Sequence, residues 1–257
     1  MKTILVTGSS GQLGQCIQKI APNFEGFQFI FKDSKALDLT DESSLQRTFS
    51  KYNFDYCINC AAYTNVERAE KTPELAFAVN AEGVKNIALA CKKHDVFLIH
   101  ISTDYVFDGN KSEPYTVDDI PNPINEYGKS KLMGERYIQE LMENYCIIRT
   151  SWLYSEFGNN FYKAILEKSK TNKTLIVTDA QMGCPTNANN LALFIMEQIS
   201  KKETKSGIYH FTDGVSSTWY DFAKKILIDH DLQNTVNLVR DKKYRTFVKR
   251  PVNSVLI

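Results

Sequence analysis

A glycine-rich turn near the start of the chain constrains its fold most strongly. The apolar and β-branched run from residue 3 to residue 7 predicts a short strand, and a helical pattern follows the turn Gly8-Ser9-Ser10-Gly11-Gln12-Leu13-Gly14. Gly8 permits a tight turn, Gly11 lets backbone N–H groups approach a pyrophosphate, and Gly14 allows the helix to pack closely. Because a helix N-terminus attracts phosphate groups, this strand, turn and helix together predict a dinucleotide site.

The first half of the chain alternates predicted strands with predicted helices, as a parallel sheet covered by helices requires. The apolar and helical patterns predict strands at 27–31, 56–60, 96–102 and 145–150, and helices at about 41–52, 73–93 and 127–143. We therefore expect an α/β fold: a Rossmann-type doubly wound parallel sheet with a smaller C-terminal substrate lobe. The expected NAD(P)-binding domain spans 1–150, with 187–211 returning to it, and the expected lobe comprises 151–186 and 212–257.

Small and polar residues follow two of the predicted strands. Ala61 and Ala62 come directly after the third strand, and Thr103 lies where the fourth strand ends. Ligands of open parallel sheets bind beyond the carboxyl ends of the strands, so these three residues are expected on the cofactor's side. Their small size would let a nicotinamide ribose and a substrate carbonyl come close.

Tyr127 and Lys131 are the candidate catalytic pair. A spacing of four residues places the phenol and the ammonium on one face of a helix. The pair suits an acid that protonates an alkoxide, because a phenol titrates near ~10 and a nearby cation is expected to lower its pKa. Tyr220 and Lys224 have the same spacing, but their apolar neighbours match an amphipathic helix, which indicates a structural role.

Composition narrows the class of protein. The chain has 257 residues and a net charge of +1 without a basic tract, which argues against nucleic acid or an anionic membrane as an obligate partner. No apolar run approaches the ~20 residues of a membrane span, so we expect a cytoplasmic enzyme. Cys57 and Cys60 lie three apart in a predicted strand and should face opposite sides. With no ligand spacing among the histidines either, no metal site is expected.

The motifs together resemble one family, the dTDP-4-dehydrorhamnose reductases, which are extended short-chain dehydrogenase/reductases. The resemblance spans nearly the whole chain, and its most specific part is the segment 102–109. The residues that carry it are Gly8-x-x-Gly11-Gln12-Leu13-Gly14, Ala62-Tyr63-Thr64-x-Val66-x-x-Ala69-Glu70, Ser102-Thr103-Asp104-Tyr105-Val106-Phe107-Asp108-Gly109, Tyr127-Gly128-Lys129-Ser130-Lys131, Arg149-Thr150-Ser151-Trp152 and Arg250-Pro251-x-x-Ser254.

The resemblance implies transfer of a hydride from NADPH, or from NADH, to C4 of dTDP-4-dehydro-L-rhamnose. It implies that Tyr127 donates the proton, that Lys131 holds the nicotinamide ribose and tunes Tyr127, and that Thr103 hydrogen-bonds the carbonyl oxygen. Asp104 and Trp152 would contact the sugar, and Asp38 and Leu39 would flank the adenine. The cofactor site implied in this way comprises Gly8, Ser10, Gly11, Gln12, Leu13, Gly14, Asp38, Leu39, Ala61, Ala62, Tyr63, Thr64, Tyr127 and Lys131.

A nucleotide sugar also needs donors for two phosphates and a slot for its base. By position and chemistry the candidates are Arg250, Asn160, Trp152 and Phe161. Arg250 is either a clamp for the diphosphate or an exposed arginine near the end of the chain. Trp152 either stacks on a sugar ring or fills the core.

Several alternatives stay open at this point. Asp33 suits the 2'-hydroxyl of NADH, whereas Lys32 or Lys35 suits the 2'-phosphate of NADPH, which we favour. The competing functions are a reductase of another nucleotide-linked 4-keto-6-deoxy sugar and a non-catalytic regulatory subunit that keeps the cofactor site. A 4,6-dehydratase is disfavoured because Tyr105 stands where its second acid is needed.

Oligomeric state and chain length are also open. A homodimer is compatible with the resemblance, but Asn189 stands where part of the family has a glutamate that binds Mg²⁺ between subunits. The chain stops at Ile257, where relatives continue with a further strand or helix. Both a truncated and a naturally short member of the family fit this length.

Overall fold

The structure, a computed structural model, describes residues 1–202, 204–241 and 245–257. Its strands are β1 (Lys2–Thr7), β2 (Phe27–Lys32), β3 (Tyr56–Asn59), β4 (Phe97–Thr103), β5 (Tyr145–Thr150), β6 (Leu153–Tyr154), β7 (Thr174–Val177), β8 (Met182–Gly183), β9 (Thr186–Asn187), β10 (Gly207–His210), β11 (Ser217–Thr218) and β12 (Asn237–Arg240). Its α-helices are α1 (Gln12–Ile20), α2 (Glu42–Lys51), α3 (Val66–Lys71), α4 (Pro73–Phe77), α5 (Gly83–Lys93), α6 (Glu126–Leu141), α7 (Phe161–Thr171), α8 (Ala188–Lys201) and α9 (Trp219–Asp229).

A six-stranded parallel sheet forms the centre of the molecule. Its strands lie in the order β10-β5-β4-β3-β1-β2. The chain winds outward in one direction through β2 and in the other through β3, β4 and β5, which creates a switch point between β1 and β3. The predicted doubly wound parallel sheet is therefore confirmed, and its strands and helices lie within a few residues of the predicted bounds.

Helices cover both faces of this sheet because alternate strand residues point to opposite sides. Ile4 and Val6 pack with α1 and α8 on one face, whereas Leu5 packs with α2 and α5 on the other. Cys57 and Cys60 likewise belong to opposite faces, and both are free thiols. The expectation that these two side chains face opposite sides of the sheet is confirmed.

The predicted helix at 73–93 is interrupted by a turn of π-helix over Ala78–Glu82. This turn buries Asn80, whose amide accepts a hydrogen bond from the backbone N–H of Tyr63 and donates one to the hydroxyl of Ser130 on α6. The hydrophobic periodicity alone gave no sign of this interruption, because the π turn serves a polar contact rather than an apolar one.

A second, smaller core lies after β5. It is built from α7, α9, β7 and β12, and β7 pairs with β12 in parallel. Between these elements the chain returns to the main sheet, where β10 pairs with β5, and α8 packs on the same sheet face as α1. Within the described ranges no helix has both the length and the hydropathy needed to cross a membrane.

A buried ion pair joins α6 to the main sheet. Arg149 on β5 donates to Glu135 on α6 from Nη2 at 2.7 Å and from Nε at 3.0 Å, and their side chains are 2% and 0% exposed. The hydroxyl of Ser102 on β4 donates to the same carboxylate. The pair therefore fixes the register of α6 against both strands.

Removing the carboxylate tests this anchor. Glu135→Ala would leave the Arg149 guanidinium buried without its counter-charge, so we expect the free energy of unfolding to fall by about 3–5 kcal/mol in urea titrations. Glu140→Ala removes an exposed carboxylate from the same helix and is the control. Its effect should stay within about 0.5 kcal/mol. Equal losses for the two variants would contradict the anchoring role.

Candidate active site

A cavity of about 550 Å³ opens at the carboxyl edge of the main sheet. It brings together the glycine turn, the ends of β3 and β4, the start of α6 and the segment that follows β5. Among the predicted site residues, those that line it are Gly11, Gln12, Leu13, Ala62, Thr64, Thr103, Asp104, Tyr127, Lys131 and Trp152. Residues distant in sequence thus share one site.

The glycine turn fits a pyrophosphate. Gly8 has φ +61°, and a Cβ there would lie 2.6 Å from the backbone nitrogen of Ala61. A Cβ on Gly14 would lie 2.6 Å from the carbonyl oxygen of Gly8. Gly11 caps α1 without a side-chain hydrogen bond, so the N–H groups of the first helical turn are left for a ligand. These are the backbone features that a dinucleotide phosphate needs.

The other predicted cofactor residues have different surroundings. Asp38 and Leu39 lie in the loop between β2 and α2 and are not among the cavity's lining residues. The Asp38 carboxylate accepts hydrogen bonds from the backbone and the hydroxyl of Thr40, while Leu39 is buried. Ser10 is exposed at the glycine turn, and Tyr63 is held through its backbone by Asn80.

Tyr127 and Thr103 lie on facing elements of the cavity. Burial raises the pKa of Tyr127 to about 12, with the hydrogen bond to Thr103 opposing this shift and the charge of Asp104 adding to it. The expectation that Lys131 lowers the pKa of this phenol is therefore wrong, because desolvation dominates and the lysine points elsewhere. A phenol that stays protonated at neutral pH is the form that a proton donor requires.

Lys131 is almost fully buried, at 1% exposure. Its Nζ donates to the carbonyl oxygen of Ile101 at 2.6 Å and lies 3.3 Å from Nε2 of His100. Burial lowers the pKa of Lys131 to about 8, against the opposing charge of Glu135. His100 was missed at the sequence level because the strand pattern explains a buried residue there without any polar role.

Asp104 is a second buried acid in the cavity. The Thr103 hydroxyl donates to its Oδ1 at 3.1 Å, and its Oδ2 is buried without a hydrogen-bond partner among the described residues. Burial raises the pKa of Asp104 to about 6, although the nearby hydroxyls of Ser254 and Thr103 oppose the shift. Its second oxygen is thus left for a ligand.

Trp152 stacks on Trp219. Their ring centroids are 3.5 Å apart with an interplanar angle of 5°. Trp152 has φ +48°, and Gly183 makes room for its ring, since a Cβ there would lie 2.6 Å from Cε2. Trp219 covers one face of the Trp152 indole, and the contact of Trp152 with a sugar stays a prediction. Sequence reasoning assigned Trp219 only to the core of an amphipathic helix.

Asn160 is used within the protein. Its Oδ1 caps α7 by accepting from the backbone N–H of Lys163, and its Nδ2 donates to Gln12 Oε1 at 2.6 Å and to two backbone carbonyls. The amide is thus engaged within the protein in this structure, and its donation to a substrate phosphate stays a prediction. Its contact with Gln12 instead ties the start of α7 to the glycine turn.

Arg250 lies at a second cavity of about 600 Å³, which Phe161 and Trp219 also line. Its Nη2 donates to Glu67 on α3 at 2.9 Å. Because Trp152 lines the first cavity and Trp219 the second, the stacked pair forms the wall between them. Arg250 is thus no frayed terminal residue, since 21% of its side chain is exposed.

The surroundings of two further tyrosines bear on the alternatives, a dehydratase function and a second Tyr-x-x-x-Lys pair. The ring of Tyr105 packs edge-on against Tyr127, with centroids 5.7 Å apart, where a dehydratase needs an acid. Tyr220 donates its hydroxyl to the carbonyl oxygen of Leu238 at 3.4 Å and does not line the first cavity. In the described part of the chain, no group of three or more His, Cys, Asp or Glu residues could hold a metal ion.

Comparison with known proteins agrees with this geometry. The family model described as the RmlD substrate binding domain matches residues 1–257. The chain belongs to this family. A member from Aggregatibacter actinomycetemcomitans, named dTDP-4-dehydrorhamnose reductase, is 39% identical, with 100% of this chain and 90% of the relative covered.

Other RmlD-family relatives carry related names. A crystal structure of dTDP-4-dehydrorhamnose reductase from Bacillus anthracis, in complex with NADP, matches with a TM-score of 0.93 and 36% identity, covering 100% of this chain and 91% of the other. A protein from Streptomyces niveus, named dTDP-4-keto-6-deoxy-D-glucose reductase, is 34% identical, covering 86% of this chain and 76% of the relative.

The buried Asp104 gives a pH-dependent prediction. Because its pKa is raised from 3.8 to about 6, the folded chain binds a proton that the unfolded chain has released between these values. The free energy of unfolding therefore falls as the pH rises through that window. We expect Asp104→Asn to exceed the wild type in free energy of unfolding by about 1–3 kcal/mol at pH 7.

This advantage should disappear as the pH falls towards 4, as urea titrations at a series of pH values would show. Asp118→Asn replaces an exposed carboxylate and is the control. A constant difference between the Asp104 variant and the wild type across this range would contradict the titration of Asp104.

Proposed function

We propose that the chain is an NADPH-dependent oxidoreductase that reduces the C4 keto group of dTDP-4-dehydro-L-rhamnose to give dTDP-L-rhamnose. One observation carries this proposal: a single cavity holds the turn that fits a pyrophosphate together with Thr103, Tyr127 and Lys131. Family membership and the names of the relatives support the same reaction.

The chain's own residues would divide the work in the following way. Bound NADPH would supply the hydride. The glycine turn and the N-terminus of α1 would hold the pyrophosphate, and Thr103 would donate a hydrogen bond to the substrate carbonyl oxygen. Tyr127 would give its phenolic proton to that oxygen as negative charge develops there. Lys131 would hold the nicotinamide ribose one helical turn from Tyr127.

The substrate is proposed to lie between two parts of the chain. Residues 1–150 with 187–211 would bind the cofactor, and residues 151–186 and 212–257 would bind the nucleotide sugar. Asp104, with its unpaired buried oxygen, would face the sugar, and Arg250 at the second cavity would face the diphosphate. Asp38 and Leu39 would flank the adenine from their loop beside β2.

NADPH is the proposed cofactor, with NADH as a weaker alternative. Oδ1 of Asp33 accepts hydrogen bonds from the backbone N–H groups of Lys35 and Ala36 at 3.1 and 2.9 Å. This oxygen therefore holds its own turn rather than awaiting a ribose hydroxyl, and the exposed Lys35 stands beside it for a 2'-phosphate. The relative from Bacillus anthracis is bound to NADP, which favours the same choice.

A second candidate has one specific observation in its favour. The relative from Streptomyces niveus is named for a different keto sugar, dTDP-4-keto-6-deoxy-D-glucose, so a reductase of that substrate class is the alternative. A non-catalytic regulatory role is less well supported, because Thr103, Tyr127 and Lys131 lie in the same cavity. We further propose that the protein acts in the cytoplasm and forms a homodimer.

A direct spectrophotometric assay of NADPH oxidation tests the function. Purified protein, NADPH and dTDP-4-dehydro-L-rhamnose should give loss of absorbance near 340 nm and dTDP-L-rhamnose as product. The same assay with NADH should give a lower kcat/KM, and dTDP-4-keto-6-deoxy-D-glucose should react more slowly. Faster turnover of the second sugar would transfer the proposal to that substrate, and no turnover of either would favour the regulatory role.

The proton donor gives the sharpest prediction. Tyr127→Phe should lower kcat by roughly 100-fold to 10,000-fold, the range for loss of a positioned acid, while NADPH still binds. Tyr220→Phe removes the same hydroxyl from the other Tyr-x-x-x-Lys pair and should change kcat little. Equal effects of the two substitutions would rule out the assignment of Tyr127.

Arg250 gives a prediction on substrate binding. If its guanidinium contacts the diphosphate, Arg250→Ala should weaken binding of dTDP-rhamnose by about 1.5–3 kcal/mol and leave NADPH affinity unchanged. Arg240→Ala is the matched control, because Arg240 belongs to the same part of the chain but pairs with Asp179 and does not line the second cavity. Calorimetric titration that shows unchanged affinity for the Arg250 variant would refute the contact.

A further inference from the structure

A chain of buried hydrogen bonds runs beneath the candidate active site. It links Thr7 at the end of β1, Asn59 at the end of β3, His100 on β4 and Lys131 on α6, each of which is at most 1% exposed. Thr7 Oγ1 donates to Asn59 Oδ1 at 2.6 Å, Asn59 Nδ2 lies 3.0 Å from His100 Nδ1, and His100 Nε2 lies 3.3 Å from Lys131 Nζ. This series of hydrogen bonds therefore ends on Lys131, a residue of the catalytic set.

One contact sets the direction of these bonds. The backbone N–H of Ala61 donates to Asn59 Oδ1 at 3.2 Å, and a backbone N–H can only donate. The amide oxygen must therefore face Ala61, which turns the Asn59 NH₂ towards His100. His100 Nδ1 then has to accept, and a neutral imidazole that accepts at Nδ1 carries its proton on Nε2. Burial lowers the pKa of His100 well below its usual range, so the neutral ring is the relevant form.

The Nε2–H of His100 points at Lys131. An ammonium has only N–H donors, so the charged lysine cannot accept a hydrogen bond from the His100 N–H. The uncharged amine has a lone pair and can accept it. We propose that His100, held by Asn59 as the Nε2–H tautomer, is a positioning residue that donates a hydrogen bond to the amine form of Lys131. Lys131 takes this amine form as the pH rises through its lowered pKa of about 8.

The other groups near Lys131 do not replace this contact. The carbonyl oxygen of Ile101 accepts from Nζ in either protonation state. Glu135 on the same helix is engaged by Arg149 and Ser102, and the thiol of Cys60, which follows β3, is held neutral because burial raises its pKa. Tyr127 is protonated, as described above. Among these groups, His100 is thus the one whose N–H can hydrogen-bond to the amine form of Lys131 but not to its ammonium form.

The first test reads the tautomer in the unaltered protein. The chain has four histidines, so ¹⁵N-histidine labelling and long-range ¹H–¹⁵N correlation spectra at pH 7 give four ring systems, with His100→Phe assigning the relevant one. We expect His100 to be neutral with its proton on Nε2. A proton on Nδ1, or a charged ring, would overturn the proposal.

A second test reverses the direction of these hydrogen bonds. Asn59→Asp places a carboxylate that accepts from Ala61 and from His100 Nδ1–H, so His100 Nε2 becomes an acceptor that favours the ammonium. The Lys131 transition, followed through ¹³Cε of labelled lysine, should move up from about 8 in the wild type by roughly one pH unit. No shift, or a downward shift, would contradict the proposal.

The kinetic readout rests on the proposed reductase activity, whereas the two spectroscopic readouts do not, so the two ideas can fail separately. In the Asn59→Asp variant the alkaline limb of kcat/KM should move up by the same amount as the Lys131 transition. The new carboxylate also favours the ammonium by its charge, so His100→Phe, which removes the Nε2–H donor without adding a charge, should likewise move the limb up. An unmoved limb in His100→Phe would contradict the proposal. Asp118→Asn, which alters an exposed carboxylate outside this series of hydrogen bonds, should leave the limb in place.

Discussion

The active-site geometry depends on one buried ion pair. Arg149 and Glu135 lie out of contact with water, and breaking such a pair is costly because the remaining charge keeps its desolvation penalty. Glu135 stands one helical turn after Lys131 and two turns after Tyr127, so the contact that locks α6 against β4 and β5 also sets the depth of the phenol and the lysine. Close approach of α6 is possible because Gly128 and Gly134 lack the Cβ that would collide with backbone oxygens.

Burial shapes the electrostatics of the same cavity. The pKa values of Tyr127 and Asp104 are raised and that of Lys131 is lowered, so desolvation moves all three groups towards their neutral forms. A dinucleotide phosphate at this site would therefore meet backbone N–H dipoles at the glycine turn rather than a cluster of free cations. Such fixed dipoles need little rearrangement when charge develops during a reaction.

The sequence allowed much of this arrangement to be predicted, for local reasons. The glycine turn and the strand and helix patterns depend on neighbouring residues, and the Tyr127 to Lys131 spacing depends on one helix. The contacts that escaped prediction join residues far apart in the chain: Trp152 with Trp219, Asn160 with Gln12, and Asn59 with His100. The direction of the Tyr127 pKa was also wrong, since spacing shows a nearby cation but not the loss of water around the phenol.

The stacked indoles have a consequence for spectroscopy. Trp152 and Trp219 are the two tryptophans of the chain, and both lie in the wall between the two cavities. The intrinsic tryptophan emission of this protein therefore originates from a single place, and the close parallel rings couple the two chromophores. Any ligand that changes the spacing of the two rings would change the emission. The tryptophan fluorescence therefore reports binding in either of the two cavities.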